Sequence, residues 1–356
     1  MPVMPLPHVE KPLAARVRVI GHRGAPVWFP EHTLASYARA MADGADFVEP
    51  DLVMSRDGVL VIRHENEIGT TTDVAKHAAF ADRRSTRTID GTSVTGWFTE
   101  DFTLAELKTL RARERLPQLR GTAHDGVHAL VTLEEFIEFV AAESAALGRV
   151  IGIIPEIKHG TYFRQRGLPM EDVLLDALAT HAYTRSAPVE IQSFEVGNLK
   201  YLRSRLGDAY PQVRLLQLMD APARQPFDVV ARSGTLTYGQ MMTPAGLAEV
   251  AGYADAIGPA LEAIIPSEAT QRLGVATTLV RDAHRAGLEV HPYTFRPENG
   301  FLPRDYWLGD DPDTRNEAGL VALIGRYLEA GIDAFFTDDV AAGCRALRRS
   351  MSVPGA

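Results

Sequence analysis

The sequence contains one cysteine, Cys344, in 356 residues. A single cysteine cannot form an intrachain disulfide, and it cannot supply the several thiolates of a structural zinc cluster. No apolar run approaches the ~18 residues of a membrane-spanning helix, so we expect no membrane span. The formal net charge of −9 opposes binding to nucleic acid. The hydrophobic content of 46% is ordinary for a globular protein with a sizeable core.

The usual nucleotide-binding motifs are also missing. The chain has no P-loop of the GxxxxGKS/T type and no convincing GxGxxG after a strand, which argues against a nucleotide ligand. Residues 1–16 have prolines at positions 2, 5, 7 and 12 and no apolar segment of the kind found in signal peptides. We therefore expect an extended N-terminal lead-in and, for the chain as written, a cytoplasmic protein. A processed or trimmed form of a periplasmic or secreted protein would have the same sequence.

Residues 17–65 hold the densest group of reactive side chains. An apolar, β-rich run over Val17–Ile20 predicts a strand, and Thr33 is placed to cap a helix that Gly44 ends. A second strand is predicted over Phe47–Met54. After a turn, the run Val59–Ile62 is expected to pair beside this strand as a hairpin.

Strands and helices alternate again from residue 132 onward. This alternation implies a parallel sheet, and eight such units suggest a closed (β/α)8 TIM barrel over residues 17–349, an α/β fold. A long helix is predicted over Ser267–Ala286, just before the seventh strand. The eight main strands are expected at residues 17–20, 47–54, 150–157, 189–192, 213–218, 256–258, 288–294 and 332–337.

Residues 66–129 interrupt the alternation after the second strand. They are polar with little periodicity, apart from a short helix over Thr103–Leu110 that a capping box between Thr103 and Glu106 would begin. We expect a small insertion in the barrel that walls one side of a substrate cleft, because long loops in compact domains are often functional. The alternative is a surface excursion without a role in the chemistry.

Two carboxylates lie close together on the second strand. Side chains alternate along a strand, so Glu49 and Asp51 point to the same face. Adjacent carboxylates repel and are costly to bury unpaired, and a divalent cation is the simplest remedy. Oxygen ligands favour Mg²⁺ or Ca²⁺. Glu156 and Lys158 share a face in the same way on a neighbouring strand. Alone they suggest an ion pair, but beside the other carboxylates we favour Glu156 as a third ligand.

Two histidines follow apolar runs, at positions where α/β barrels keep reactive groups. His22 ends the first strand and is followed by Arg23, and His64 ends the hairpin partner. Either histidine alone could be a satisfied core residue. With the carboxylate pair they suit metal-assisted chemistry on a phosphate ester, in which the histidines act as general acid and general base. Arg23 would bind phosphate oxygens.

These residues, in this order, resemble the glycerophosphodiester phosphodiesterase family, most of all its larger, exported-type branch. Two positions depart from the family's pattern, because His32 stands where Asn is usual and Glu65 stands where Asp is usual. The matching motifs are His22-Arg23-Gly24, Pro30-Glu31-His32-Thr33, Glu49-Pro50-Asp51, Asp57-Gly58, His64-Glu65 and Glu156-Ile157-Lys158.

The resemblance implies a metal-dependent hydrolase. Its substrates would be glycerophosphodiesters such as glycerophosphocholine, and its products sn-glycerol 3-phosphate and an alcohol. It implies acid/base catalysis by His22 and His64, with one divalent cation, Ca²⁺ or Mg²⁺, as cofactor. Lys158 is implied to meet the phosphate together with Arg23. The residues implied to bind the cation are Glu49, Asp51 and Glu156.

Further side chains near strand ends are candidates for substrate contacts. Glu31 either binds glycerol hydroxyls or supports the helix start, and Gln192 either hydrogen-bonds glycerol or caps its own loop. The family usually has an aromatic residue near the end of the seventh strand. Phe295 or Tyr293 can serve there unless it packs in the core. Asp338, after the eighth strand, is expected to cap the final helix.

Two alternatives stay open beside this function. A phospholipase D-like relative with the same histidines and carboxylates would act on lysolipids or sphingolipids, and it would need an apolar lip for an acyl chain. A barrel that binds glycerophosphodiesters without turnover would have little need for two proton carriers. In each case the expected partner is a small molecule.

Overall fold

A computed structural model describes residues 12–207 and 210–351. Residues 1–11 of the expected lead-in lie outside the described residues, and residues 12–16 contain no helix or strand. The strands are β1 Arg18–Gly21, β2 Phe47–Val48, β3 Asp51–Met54, β4 Leu60–Ile62, β5 Ser85–Ile89, β6 Thr92–Gly96, β7 Gly152–Ile153, β8 Glu156–Ile157, β9 Val189–Ser193, β10 Val213–Met219, β11 Ala256–Pro259, β12 Glu289–Val290 and β13 Ala334–Thr337.

Helices follow most of the strands. The α-helices are α1 Leu34–Asp43, α2 Leu104–Leu107, α3 Pro117–Arg120, α4 Leu133–Leu147, α5 Gly160–Gln165, α6 Glu171–Thr180, α7 Val196–Leu206, α8 Phe227–Ala231, α9 Tyr238–Met241, α10 Pro244–Val250, α11 Leu261–Ile264, α12 Leu279–Arg285, α13 Glu317–Glu329 and α14 Val340–Met351. Short 3-10 helices span Val74–Lys76, Ala78–Arg83, Thr99–Asp101, Asn299–Phe301 and Arg304–Tyr306.

Eight parallel strand positions close into a barrel, as predicted. The strands β12, β11, β10, β9, β7, β2, β1 and β13 are neighbours in that order. Backbone bonds join the two ends of this row, because Asp333 N–H donates to the Val290 carbonyl at 3.0 Å and Phe295 N–H donates to the Phe336 carbonyl at 2.9 Å. The carboxyl ends of all eight strands therefore meet at one rim.

Two of the eight strands are interrupted by proline. Pro50 separates β2 from β3 and Pro155 separates β7 from β8, because proline has no N–H to continue the ladder. The second halves still pair in parallel, with Asp51 beside Glu156. Each break therefore falls next to a carboxylate at the rim.

The helix cap, the helix end and the strand hairpin predicted within residues 17–65 are confirmed. The Thr33 hydroxyl accepts from the Ser36 N–H and caps α1, and Gly44 ends the helix with a left-handed φ of 109°. β4 pairs with β3 in antiparallel register, with Leu52 beside Ile62. This hairpin carries His64 to the rim.

The long helix predicted over Ser267–Ala286 is wrong, since only its last part, α12, is helical. The preceding residues fold back on themselves, so that Gly274 N–H donates to the Pro266 carbonyl at 2.9 Å. A Cβ at Gly274 would lie 2.6 Å from that carbonyl oxygen. Gln271 has a φ of 60°, which interrupts a helix. Tertiary contacts here override helix propensity.

The insertion (residues 66–129) lies between β4 and α4. It contains the antiparallel hairpin of β5 and β6, and the predicted capping box between Thr103 and Glu106 begins α2. At the hairpin's tip, Asp90 Oδ2 lies 2.6 Å from the His159 Nδ1 of the barrel. The insertion thus reaches over the rim beside β8.

The barrel interior has an apolar layer and an ionic layer. The ionic layer lies near the amino ends of the strands, where His291 is fully buried. Its Nδ1 lies 3.3 Å from Glu190 Oε2 and its Nε2 lies 3.0 Å from Glu289 Oε2. Arg18 and Arg214 also pair with Glu289. The apolar layer consists of Ile20, Phe47, Ile154, Leu216, Leu218, Ala256, Ala334 and Phe336.

Candidate active site

Three buried carboxylates meet at the rim, on the two interrupted strands. One oxygen from each of Glu49, Asp51 and Glu156 lies within 4.8 Å of the others. Burial raises the pKa of Glu49 well above its ordinary value, and Asp51 and Glu156 raise it further by repulsion. Burial raises the pKa of Glu156 to about 7, although Lys158 opposes this. A carboxylate cluster with such strong mutual repulsion favours a bound cation.

The carboxylates fit a hard divalent cation. Their donor atoms are all carboxylate oxygens, which Ca²⁺ and Mg²⁺ prefer. The Oδ1 atom of Asp51 is buried and has no hydrogen-bond partner among the described residues. Such an atom is costly unless something binds it. These residues could therefore hold one divalent cation.

Neighbouring groups fix the carboxylates in place. Gln192 donates from Nε2 to Glu49 Oε1 at 2.6 Å, and the backbone N–H of Arg23 donates to Glu49 Oε2 at 3.0 Å. Gln192 thus lies at the carboxylate cluster, where it holds one ligand oxygen, and it also borders the cleft above.

His32 stands behind the cluster, at the position where the resemblance expects Asn. Its Nε2 lies 2.8 Å from Asp51 Oδ2, and its Nδ1 lies 2.7 Å from the Tyr37 hydroxyl. The Tyr37 hydroxyl in turn donates to the Glu49 carbonyl at 2.9 Å. Burial raises the pKa of an isolated carboxylate, but His32 holds the pKa of Asp51 well below its ordinary value. His32, although it departs from the family pattern, therefore stabilises the ionised form of Asp51.

The two histidines line one cavity together with the carboxylates of Glu49 and Glu156. His22 Nδ1 lies 2.5 Å from Asp338 Oδ1, and its Nε2 lies 3.9 Å from Glu49 Oε2. His64 Nδ1 lies 2.5 Å from Glu65 Oε1, and its Nε2 lies 3.1 Å from Lys158 Nζ. A carboxylate at each Nδ1 assigns the ring proton to that atom.

Burial lowers the pKa of His22 to about 4 and that of His64 to about 3. For His64, the nearby Arg23 and Lys158 add to this effect. Both rings are therefore neutral near pH 7. A neutral ring protonated on Nδ1 offers the lone pair of Nε2 as a proton acceptor.

Two cations lie at the same cluster. Lys158 Nζ lies 2.9 Å from Glu156 Oε1, and Arg23 Nε lies 3.6 Å from Asp51 Oδ2. They bring positive charge to the rim of a protein whose net charge is −9. Positive groups of this kind attract and orient phosphate oxygens.

Two adjoining cavities open above the cluster. The smaller, of about 120 Å³, is lined by both histidines, Arg23 and the carboxylates of Glu49 and Glu156. The larger, of about 670 Å³, is lined by Lys158 and by the insertion's hairpin. Glu156 and Phe194 border both cavities. An extended ligand can therefore occupy both at once.

Not every predicted residue reaches these cavities. Phe295 is fully buried and packs its ring against Tyr327 and Phe335, with centroid distances of 5.0 and 5.6 Å. Tyr293, the alternative, lines the smaller cavity. Glu31 lies behind the cavities, where its carboxylate accepts from Arg23 Nη1 at 2.9 Å.

Some site residues were not expected from the sequence. Asp338 holds His22 instead of capping α14, and the neighbouring Asp339 caps that helix by accepting from Ala342 N–H at 2.9 Å. Phe194 directly follows β9, two residues after Gln192, and this position at the rim is a usable signal. Arg115 and Arg120 of the insertion reach the site without any signal in their local sequence.

A closed (β/α)8 barrel with two histidines, two cationic side chains and a carboxylate cluster at its carboxyl rim has the groups expected of a metal-assisted phosphodiesterase. Residues 22–342 match the Glycerophosphoryl diester phosphodiesterase family. The chain belongs to this family and is an enzyme, a phosphoric diester hydrolase. The resemblance drawn from the motifs is thereby confirmed.

Sequence relatives agree with this assignment, and a solved structure agrees with the fold. A glycerophosphodiester phosphodiesterase of Arabidopsis thaliana is 35% identical over 92% of this chain and 86% of its own. One of Haemophilus influenzae is 31% identical over 79% of each chain. A crystal structure of a glycerophosphoryl diester phosphodiesterase from Silicibacter pomeroyi has a TM-score of 0.64 at 21% identity and 96% coverage of both chains.

One solved relative carries a ligand. A phosphodiesterase of Oleispira antarctica, in complex with the product sn-glycerol-3-phosphate, has a TM-score of 0.55 at 19% identity, covering 94% of this chain and 97% of its own. At this identity the likeness concerns the fold.

No helix within residues 12–207 and 210–351 is both long enough and apolar enough to cross a membrane.

Proposed function

We propose that the enzyme hydrolyses glycerophosphodiesters to sn-glycerol 3-phosphate and an alcohol, with one divalent cation as cofactor. The observation that carries this proposal is that His22, His64 and the carboxylates of Glu49 and Glu156 line one cavity. A pure binding protein has little use for two proton carriers, each held by its own carboxylate.

The cation would be held by Glu49, Asp51 and Glu156, and either Ca²⁺ or Mg²⁺ suits these ligands. When bound, it supplies positive charge that polarises a phosphoryl oxygen. Arg23 and Lys158 would bind the remaining phosphate oxygens, since both side chains line the cavities beside the cluster.

The histidines would divide the proton transfers. In its neutral form each ring carries its proton on Nδ1, where it bonds to a carboxylate. Each ring can therefore accept a further proton on Nε2. One ring would take the proton of the nucleophile, and the other would give a proton to the leaving alkoxide. The negative phosphodiester favours protonation of the ring that acts as the acid.

The larger cavity would hold the alcohol, and the smaller one the glycerol. Asp90 and Glu195 line the larger cavity together with the ring of Phe194. Carboxylates and aromatic faces attract ammonium groups. A cationic alcohol such as choline therefore suits this cavity, and Tyr293 takes the place proposed for an aromatic residue beside the glycerol.

The test is release of sn-glycerol 3-phosphate from glycerophosphocholine by the purified protein, after EDTA and after adding back Ca²⁺ or Mg²⁺. We expect activity to be lost with EDTA and restored by one of the ions. Lysophosphatidylcholine, assayed in parallel, tests the lipid-acting alternative. Turnover of that lipid alone would overturn the proposed substrate.

The cation site is tested separately by calorimetry. Glu49→Gln removes one carboxylate, and we expect ion binding to weaken strongly. The matched control is Glu138→Gln, because Glu138 lies exposed on α4. Equal ion affinity of Glu49→Gln and the unaltered protein would refute the site.

A further inference from the structure

Beyond the residues of the rim, Arg115 of the insertion reaches the carboxylate that holds His64. Its Nη1 and Nη2 donate to Glu65 at 3.1 and 2.5 Å. Its Nε and Nη2 also donate to the two oxygens of Glu31, at 2.7 and 2.6 Å. One guanidinium therefore joins Glu65 to Glu31 in the loop before α1, with two bonds to each carboxylate.

Arg120 makes the equivalent contact on the other side of the site. Its Nη2 donates to Asp338 Oδ2 at 2.6 Å, and Asp338 Oδ1 lies at His22 Nδ1. The same guanidinium donates from Nε to Glu298 at 2.8 Å. Arg296 is a second cation at Asp338, at 3.2 Å.

Both arginines belong to one short stretch of the insertion, residues 115–120, which we name the arginine segment. It contains α3, and Leu116 N–H at its start donates to Glu114 at 2.8 Å. The two histidines come from different segments of the chain, after β1 and after β4. A single segment thus reaches the supporting carboxylates of both.

We propose that Arg115 and Arg120 are positioning residues of the hydrolytic reaction, which orient His64 and His22 through Glu65 and Asp338. This inference rests on the acid/base roles proposed above for the two histidines. Neither arginine lines either cavity, so each acts through the carboxylates that it holds. Arg120 holds Asp338, and Arg115 holds Glu65 and also Glu31, which accepts from Arg23 at 2.9 Å.

The two carboxylates depend to different degrees on their arginines. The Glu65 side chain is 33% exposed, and among the described residues its side-chain hydrogen bonds come from His64 and Arg115. Without Arg115 it can rotate into solvent and release the ring. Asp338 is buried and keeps Arg296 as a partner when Arg120 is removed. We therefore expect the larger effect at Arg115.

The charge of Arg115 is a competing explanation, because a nearby cation also disfavours protonation of His64. The variant Arg115→Lys distinguishes an effect of orientation from an effect of charge. Lys carries the same charge but cannot form a planar fork to two carboxylates. If orientation matters, Arg115→Lys stays impaired, and if only charge matters it regains full activity.

The experiment compares Arg115→Met, Arg115→Lys and the control Arg113→Met. Arg113 lies in the insertion just before the arginine segment and pairs with Asp125 at 3.3 Å. With glycerophosphocholine and saturating cation, we expect Arg115→Met to lower kcat by about 10- to 100-fold, the range found for groups that orient a reactive histidine or ligand. Calorimetric ion affinity should not change, because Arg115 bonds to Glu65 and Glu31 and to none of the proposed cation ligands. KM should change less than kcat, because Glu31 keeps its bond to Arg23 in the variant.

A second readout does not depend on turnover. In proton NMR with ¹⁵N-labelled rings, the Nδ1 proton of His64, bonded to Glu65, should give a downfield signal. We expect Arg115→Met to abolish or shift this signal and Arg113→Met to preserve it. If Arg115→Met does not fold, as judged by circular dichroism, Arg115→Gln replaces it in both measurements.

Three outcomes overturn the inference: kcat of Arg115→Met within twofold of the unaltered protein, full recovery in Arg115→Lys, or an unchanged His64 signal. Failure of the proposed function is distinguishable from these. In that case the unaltered protein itself releases no sn-glycerol 3-phosphate, and the NMR comparison still decides whether Arg115 orients His64.

Discussion

The buried ionic layer of the barrel predicts a pH-dependent loss of stability in His291→Gln. Burial disfavours a charged imidazole, but Glu190 and Glu289 outweigh this and raise the pKa of His291 above its ordinary value. The folded protein therefore binds this proton more tightly than the unfolded chain. The resulting stabilisation is fully present below about pH 6.5 and is lost as the pH rises through the raised pKa.

The contacts of His291 determine how much the free energy of unfolding falls in His291→Gln. Breaking a buried ion pair from one side costs about 3–5 kcal/mol. Here Arg18 and Arg214 still pair with Glu289, so we expect the lower end, about 3 kcal/mol, at pH 6. Well above the folded-state pKa only a neutral hydrogen bond is lost, which is worth about 1 kcal/mol.

Denaturant unfolding of the unaltered protein and His291→Gln between pH 6 and pH 10 measures this difference. His181→Gln is the control, because His181 lies half-exposed at the end of α6. A destabilisation of His291→Gln that stays constant, or grows, with rising pH would refute the reasoning.

Three further predictions concern the site. Gln192→Leu removes the donor to Glu49 and should weaken ion binding by about 10- to 100-fold in calorimetry, and unchanged affinity would contradict this. Phe295→Ala should lower the free energy of unfolding by about 3–5 kcal/mol without changing KM, and a raised KM would place Phe295 at the substrate. Asp90→Asn should raise KM for glycerophosphocholine by about two- to fivefold, as expected for a partly exposed charge pair of up to ~1 kcal/mol. KM for glycerophosphoglycerol, with its neutral alcohol, should not change, and equal effects on both substrates would argue against a cationic preference.

Local patterns were sufficient to predict the barrel. Alternating strands and helices and the cap at Thr33 depend on neighbours in the sequence, so they could be read directly. The shared face of Glu49 and Asp51 survived the break at Pro50, because the two strand halves keep their parallel partners.

The parts that failed depend on tertiary contacts. The segment before α12 has helix-forming residues, but a bond from Gly274 N–H to the Pro266 carbonyl and one from Arg304 N–H to the Gln271 carbonyl hold it in another conformation. Phe295 and Tyr293 lie two residues apart, yet Phe295 packs in the core against Tyr327 of α13 and Phe335 of β13. Arg115 reaches Glu65 across 50 residues of chain, a distance set by the path of the insertion.

The insertion has a consequence for engineering this enzyme. Its hairpin borders the cavity proposed for the alcohol, and its arginine segment contacts the carboxylates at both histidines. Exchanging the whole insertion with that of a relative would therefore change substrate range and turnover together. Libraries aimed at a new alcohol should vary residues 85–96 and leave residues 115–120 untouched.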